Sequence, residues 1–162
     1  MQDGCFYYLS QEYFEDFPDP FLMGNKESIS GQPHNRPCFY AFKDTLNGLD
    51  WVIPISSQIK KYRAVYERKI KSGKQCDTIV FGDVLGNNKA FLIQNMCPIT
   101  DKYILNQYLI ENCAVRISSD LEKQLKSKAR KILSLQRKGI KVIFPDVLKI
   151  EQQLLDSLKI SS

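Results

Sequence analysis

Short apolar runs broken by polar turns fill the first two thirds of the chain, and a helical period takes over in the last third. "CFYYLS" (5–10) is apolar and aromatic and reads as a strand. Ser10 can cap the short helix "QEYFEDF", which Pro18 and Pro20 stop. Residues 24–37, "GNKESISGQPHNRP", are polar and rich in Gly, Pro and Asn, so they read as a long loop. "CFYAFKD" (38–44) and "LDWVIPI" (49–55) flank "TLNG" as a hairpin. "YRAVYERKIKSG" (62–73) reads either as a helix ended by Gly73 or as a long basic loop. Residues 76–96 give a second hairpin with "GDVLGNN" as its turn, and 97–109 read as a strand end or short helix. Ser118 or Ser119 then caps a helix whose apolar positions Leu121, Leu125, Ala129, Ile132, Leu133 and Leu135 follow helical spacing up to Gly139. Pro145 opens a last helix with Val147, Ile150, Leu154, Leu155 and Leu158 as its buried stripe. The pattern predicts an α+β fold: a small, mostly antiparallel sheet with helices mainly at the C-terminus.

The length of 162 residues suits one domain spanning 1–162. A hydrophobic content of 43% excludes a disordered chain, and no apolar stretch is long enough to cross a membrane. "MQDGCFYYLS" lacks the basic start and apolar core of a signal peptide, so a cytoplasmic location is expected. Five widely spaced cysteines and the single His34 offer no close-set ligand pairs. Neither a metal nor another cofactor is expected.

Charge changes the picture more. The net charge is +5, and it is unevenly spread. Residues 11–20 hold four acids and no base, residues 60–74 seven bases and one acid, and residues 123–141 eight bases and no acid. Two basic tracts, one beside the serine pair of "VIPISSQIKKYR" (52–63), point to a nucleic-acid partner. RNA carries its own nucleophile, the ribose 2′-hydroxyl, so a protein that cleaves it needs chiefly to align that group and stabilise charge. Ser56, Ser57, Lys60 and Arg36 have the right chemistry for this, and His34 is a further candidate. Tyr7, Tyr8, Tyr13, Phe39, Tyr40 and Tyr62 could offer stacking surfaces, with about half of each strand's aromatics turned away from the core. Lys61, Arg63, Arg68, Lys69, Lys71, Lys126 and Arg130 are the candidate RNA-binding cations.

Three segments carry a resemblance to a known family. "FYYLSQEYF" (6–14), "NRPCFYAF" (35–42) and "GLDWVIPISSQIKK" (48–61) resemble, in order and spacing, the ToxN/AbiQ group of type III toxin–antitoxin endoribonucleases, and more closely its CptN-like branch. The resemblance implies an expanded Kid/MazF toxin barrel and metal-independent, sequence-selective RNA cleavage that leaves a 2′,3′-cyclic phosphate. It implies as partner a small repeated antitoxin RNA, a pseudoknot that the toxin cuts from its precursor and that inhibits it in a closed protein–RNA assembly. A role in phage defence by abortive infection goes with this. Ser57 falls on the family's catalytic serine and Tyr13 on its active-site tyrosine. Pro37 stands where the family carries a lysine, so Arg36 or His34 would substitute, and Lys60 rather than Lys61 matches the lysine after the serine. Two other readings use the same residues: a non-catalytic RNA-binding module, and a protein-interaction adaptor whose basic helix binds an acidic partner.

Overall fold

The computed structural model describes residues 1–161. Its elements are β1 (Phe6–Leu9), α1 (Gln11–Asp16), β2 (Lys26–Ile29), β3 (Gln32–Asn35), β4 (Cys38–Lys43), β5 (Asp50–Ser56), α2 (Ile59–Lys71), β6 (Ile79–Val84) and β7 (Asn87–Leu92). Then come β8 (Cys97–Ile99), β9 (Ile104–Gln107), β10 (Leu109–Ile110), β11 (Cys113–Ala114), α3 (Ser119–Arg137) and α4 (Val147–Ile160). No helix among the described residues is long and apolar enough to cross a membrane.

The main sheet has seven antiparallel strands in the order β6-β7-β5-β4-β1-β9, and β8 pairs with β5 beside that path. The start of β5 pairs with β8 and its end with β7, so one strand edge is shared by two successive partners. Phe6 on β1 and Phe91 on β7 lie three strands apart, roughly 14 Å in a flat sheet. Their ring centroids are 6.2 Å apart, so the sheet curls tightly around a core. Phe6, Phe39, Ile53, Ile55 and Phe91 face inward, and α3 fills the hollow with Leu125, Ala129, Ile132 and Leu133. A bulge between Tyr40 and Phe42 lets Phe39 and Phe42 serve the same inner face. At Gly82 on β6 a Cβ atom would stand 2.3 Å from a Leu121 methyl, so a larger residue would make that side chain in the first turn of α3 move. The outer face is also covered: Leu9, Val52, Cys97 and Ile99 pack with Tyr13 of α1 and with Ile150 and Leu154 of α4, while α2 covers Ile79, Ala90 and Leu92.

Burial on both faces corrects the expectation that half of each strand's aromatics are free. Tyr7, Tyr13, Phe39, Tyr40 and Tyr62 are all buried, and of the six candidates only Tyr8 is partly open.

The long loop expected at 24–37 is also corrected. Residues 26–35 form the β2–β3 hairpin, turned by Ser30 and Gly31 at φ 51 and 77, the left-handed pair that a tight two-residue turn requires. "GDVLGNN" shortens likewise to a Leu85–Gly86 turn, with Gly82 and Asp83 inside β6. The basic segment is a helix, α2, and it starts at Ile59. Ser118 caps α3 by accepting a hydrogen bond from the Leu121 amide, and Gly139 follows that helix at φ 87. Ser10 precedes α1 in the cap position but its hydroxyl makes no cap hydrogen bond. The last helix begins at Val147, with Asp146 as its cap, and Leu158 stays outside its buried stripe. All five cysteines are free; four are buried and Cys113 is exposed.

Candidate active site

The inner face runs out of apolar side chains at one end of the curled sheet. Along β5, Ile53 and Ile55 point inward, and alternation brings Ser57 to the same side just past the strand end. Across from it, Phe91 faces Ile55 and Ala90 faces Ser56, so the next residue, Lys89, falls opposite Ser57. The Lys89 ammonium donates to the Ser57 hydroxyl oxygen at 2.5 Å. Since that oxygen accepts from Lys89, the serine's own O–H is free to donate elsewhere.

Lys89 lines a cleft of about 340 Å³ whose walls come from several elements. Tyr8 comes from β1, Glu27 and His34 from the hairpin, Ile55 from β5, Asn87 from β7, and Tyr108 from the segment after β9. Glu27 and His34 are direct cross-strand partners on one face of the hairpin. The Glu27 carboxylate accepts from the Ser57 amide at 3.3 Å and pairs with Arg36 at 3.2 Å. Arg36 is buried; its guanidinium also donates to the Ile55 and Gly24 carbonyls at 2.8 and 3.1 Å. It thereby clamps the hairpin onto the end of β5 and fixes where Ser57 stands.

Helix α2 leaves directly from this point. Its first turn carries Lys60 and Lys61 and no acid. Cations at the positive pole of a helix raise one another's energy, and an anion held nearby would relieve it. Ser56 is 1% exposed, and its hydroxyl accepts from the Gln58 amide at 3.1 Å, which shapes the turn into α2.

The sequence candidates therefore separate. His34 and Tyr8 line the cleft, Ser57 joins it through its hydrogen bond from Lys89, and Lys60 lies in the first turn of α2. Ser56 and Arg36 lie beneath it as supports. Tyr13 is fully buried against α4 and donates to the Pro98 carbonyl; burial, then neighbouring Cys97, pushes its phenol well above the usual range, so it stays protonated. Tyr7 is buried too, and its hydroxyl accepts from the Gln2 amide. Lys61, Arg63, Arg68, Lys69 and Lys71 lie along α2, where Arg63 covers the Phe81 ring at 3.9 Å and Lys69 donates to the Thr78 hydroxyl. Lys126 and Arg130 lie on α3, away from the cleft; Lys126 pairs with Asp3 and Glu122, and Arg130 sits over Phe42 beside a separate pocket.

Lys89, Glu27, Asn87 and Tyr108 are not among the candidates the sequence offers. The signal for Lys89 is alternation within the second hairpin: it lies two residues before inward Phe91. Among the described residues no group of three or more His, Cys, Asp or Glu side chains could hold a metal ion.

The fold of this chain, a curled antiparallel sheet packed on α3, is shared with a toxin-type nuclease already solved. That structure is AbiQ, a lactococcal anti-phage endoribonuclease belonging to the type III toxin–antitoxin system. The two chains are 15% identical and superpose with a TM-score of 0.67 over 96% of this chain and 98% of AbiQ. At that identity the likeness establishes a shared fold along nearly the whole length, which is the fold the family resemblance implies. No family model matches the chain, and no curated protein does.

Proposed function

We propose that this chain, acting as one domain over 1–162, is a metal-independent endoribonuclease and the toxin of a type III toxin–antitoxin system. The observation that carries the reading is the Lys89–Ser57 pair at the mouth of an AbiQ-like fold, with the one histidine of the chain on the same cleft. In the reaction, the ribose 2′-oxygen attacks the adjacent phosphorus as its proton passes to the His34 imidazole. The Ser57 hydroxyl and the Lys89 ammonium donate to the non-bridging oxygens as negative charge builds there. The bond to the 5′-oxygen breaks, that oxygen takes a proton from the lysine, and the products are a 2′,3′-cyclic phosphate and a 5′-hydroxyl. Lys60 adds positive charge at the strand end, while Arg36 and Ser56 hold the turn in place. Tyr13 serves the packing beneath β1.

The inhibitor is a small repeated pseudoknot RNA that the protein cuts from a precursor and that fills the cleft within a closed assembly. The cations of α2 carry its phosphates, and the system defends a cell against phage from the cytoplasm. Incubating the purified protein with RNA in excess chelator tests the chemistry: cleavage with cyclic-phosphate ends is expected, and Ser57→Ala should abolish it while leaving the fold intact. Cleavage that chelator stops and magnesium restores would overturn the mechanism. RNA bound tightly but left whole would make the protein an RNA-binding module instead.

A further inference from the structure

The phosphate chemistry uses only one side of the cleft. We propose that the other side, between Tyr8, Tyr108 and Asn87, is a nucleobase subsite that selects adenine or cytosine, by the amine at N6 or N4, next to the scissile phosphate. The proposal rests on the endoribonuclease reading and deepens it.

Tyr8 and Tyr108 meet edge to face, with ring centroids 5.5 Å apart and planes at 61°. Such a pair covers one ring's face with the other ring's edge, and leaves the edge-on ring its own faces for a third flat group. Both rings are only half-buried, and neither phenol has a hydrogen-bond partner among the described residues. Burial, then the neighbouring Tyr108, raises the Tyr8 phenol above its ordinary range, so at neutral pH it is a donor. Pro37 and Val84 complete an apolar wall. Base stacking on aromatic rings is a general mode of single-strand recognition and by itself accepts any base.

Asn87 supplies the discrimination. Its amide nitrogen donates to the Leu85 carbonyl at 3.2 Å. A carbonyl oxygen can only accept, so the side chain is oriented with its NH₂ on Leu85 and its own oxygen left over. The Leu85–Gly86 turn, with both φ angles positive, holds Asn87 in register opposite Val84. An exocyclic amine, N6 of adenine or N4 of cytosine, can donate to that oxygen. Uracil places its O4 there instead, acceptor against acceptor. Asn87 and Lys89 are two residues apart on the same face of β7, about 7 Å along the strand, within the reach of one nucleotide.

The test is kcat/KM for short RNAs in which the base on each side of the mapped cleavage point is varied, including purine riboside, which lacks the adenine amine. One flanking position should favour adenine or cytosine over uracil by tenfold or more, with purine riboside falling toward uracil. Asn87→Ala should bring that ratio to within about twofold by slowing the preferred substrates, without changing the melting temperature. Tyr108→Leu should slow every substrate alike, and Tyr108→Phe, which keeps the ring, should slow them less than Tyr108→Leu. Uniform cleavage whatever the base, or a preference that Asn87→Ala leaves intact, would overturn the subsite. If the wild type cleaves nothing, the endoribonuclease reading falls alone. The subsite is then read by titrating 2′-O-methyl oligonucleotides that differ by one adenine-to-uracil change, where equal affinities would remove it.

Discussion

Helices α2 and α3 look alike in sequence and differ in what surrounds them. Each carries six lysines and arginines. On α3, four of the six face carboxylates: Lys126 meets Asp3 and Glu122, Lys128 and Lys131 share Asp77, and Arg137 bridges Asp44 and Glu151. On α2, no cation forms an ion pair among the described residues; Lys61 and Arg63 lie over aromatic rings and Lys69 reaches a hydroxyl. Paired charges cancel at a distance and unpaired ones do not, so α2 projects a positive field beside Ser57 while α3 spends its charge on the fold. A basic tract in a sequence is a count of cations, and only their partners decide whether an anion outside will feel them.

The contrast breaks hardest at the cleft itself. Lys89→Ala should lower the cleavage rate about 10²–10³-fold, the usual cost of removing one preorganised donor to a developing charge. Lys128→Ala should leave the rate alone; equal reductions in single-turnover assays would show that charge anywhere on the surface suffices. Next comes stability. Arg137→Met strands Asp44 and Glu151, both buried, and should cost about 2 kcal/mol in urea denaturation, less than a fully buried pair because the arginine is a quarter exposed.

RNA affinity should separate the helices more gently. Lys60→Glu with Arg63→Glu should weaken binding about tenfold at low salt. It should also reduce the salt slope by roughly 0.7 for each RNA phosphate that the variant no longer neutralises. Lys128→Glu with Lys131→Glu should change affinity less than about threefold, and a larger drop would move α3 into the RNA interface. The smallest effect concerns Asp77, whose carboxyl is held below the usual range chiefly by a hydrogen bond from Lys131. A depressed carboxyl pKa stabilises the fold above its unfolded value, near 3.9, and that contribution disappears as pH falls through the folded value. Lys131→Met should therefore cost about 0.5 kcal/mol at pH 7 and almost nothing near pH 2, read as a converging pair of melting curves.

Much of the fold was legible because the apolar residues announce it. Leu125, Ala129, Ile132 and Leu133 fall on one side of a helix, and Gly139 ends it where a left-handed residue is needed. The β2–β3 hairpin was not legible, because β3 is exposed along its whole length and shows no alternation to read. At the site, Ser57 could be found from the end of its own strand. Alternation puts its lysine on the inner face, but 32 residues of chain separate the two and only the pairing of β5 with β7 joins them. The burial of Tyr13 and Tyr7 was hidden for the opposite reason: this sheet is covered on both faces, so alternation no longer sorts rings into buried and free.

The distribution of thiols has a practical consequence. Cys38 and Cys97 are sealed in the interior, where burial drives the first far up and the second up to about 12, leaving almost no reactive thiolate at neutral pH. Cys5 and Cys76 are enclosed as well. Cys113 alone stands at the surface, on the small β10–β11 hairpin a few residues beyond Tyr108. The native protein thus carries a single handle for a maleimide dye, with no cysteine to engineer away. A fluorophore attached there would be tied to the chain that continues directly from Tyr108, and a change in its signal on adding RNA would report binding in real time.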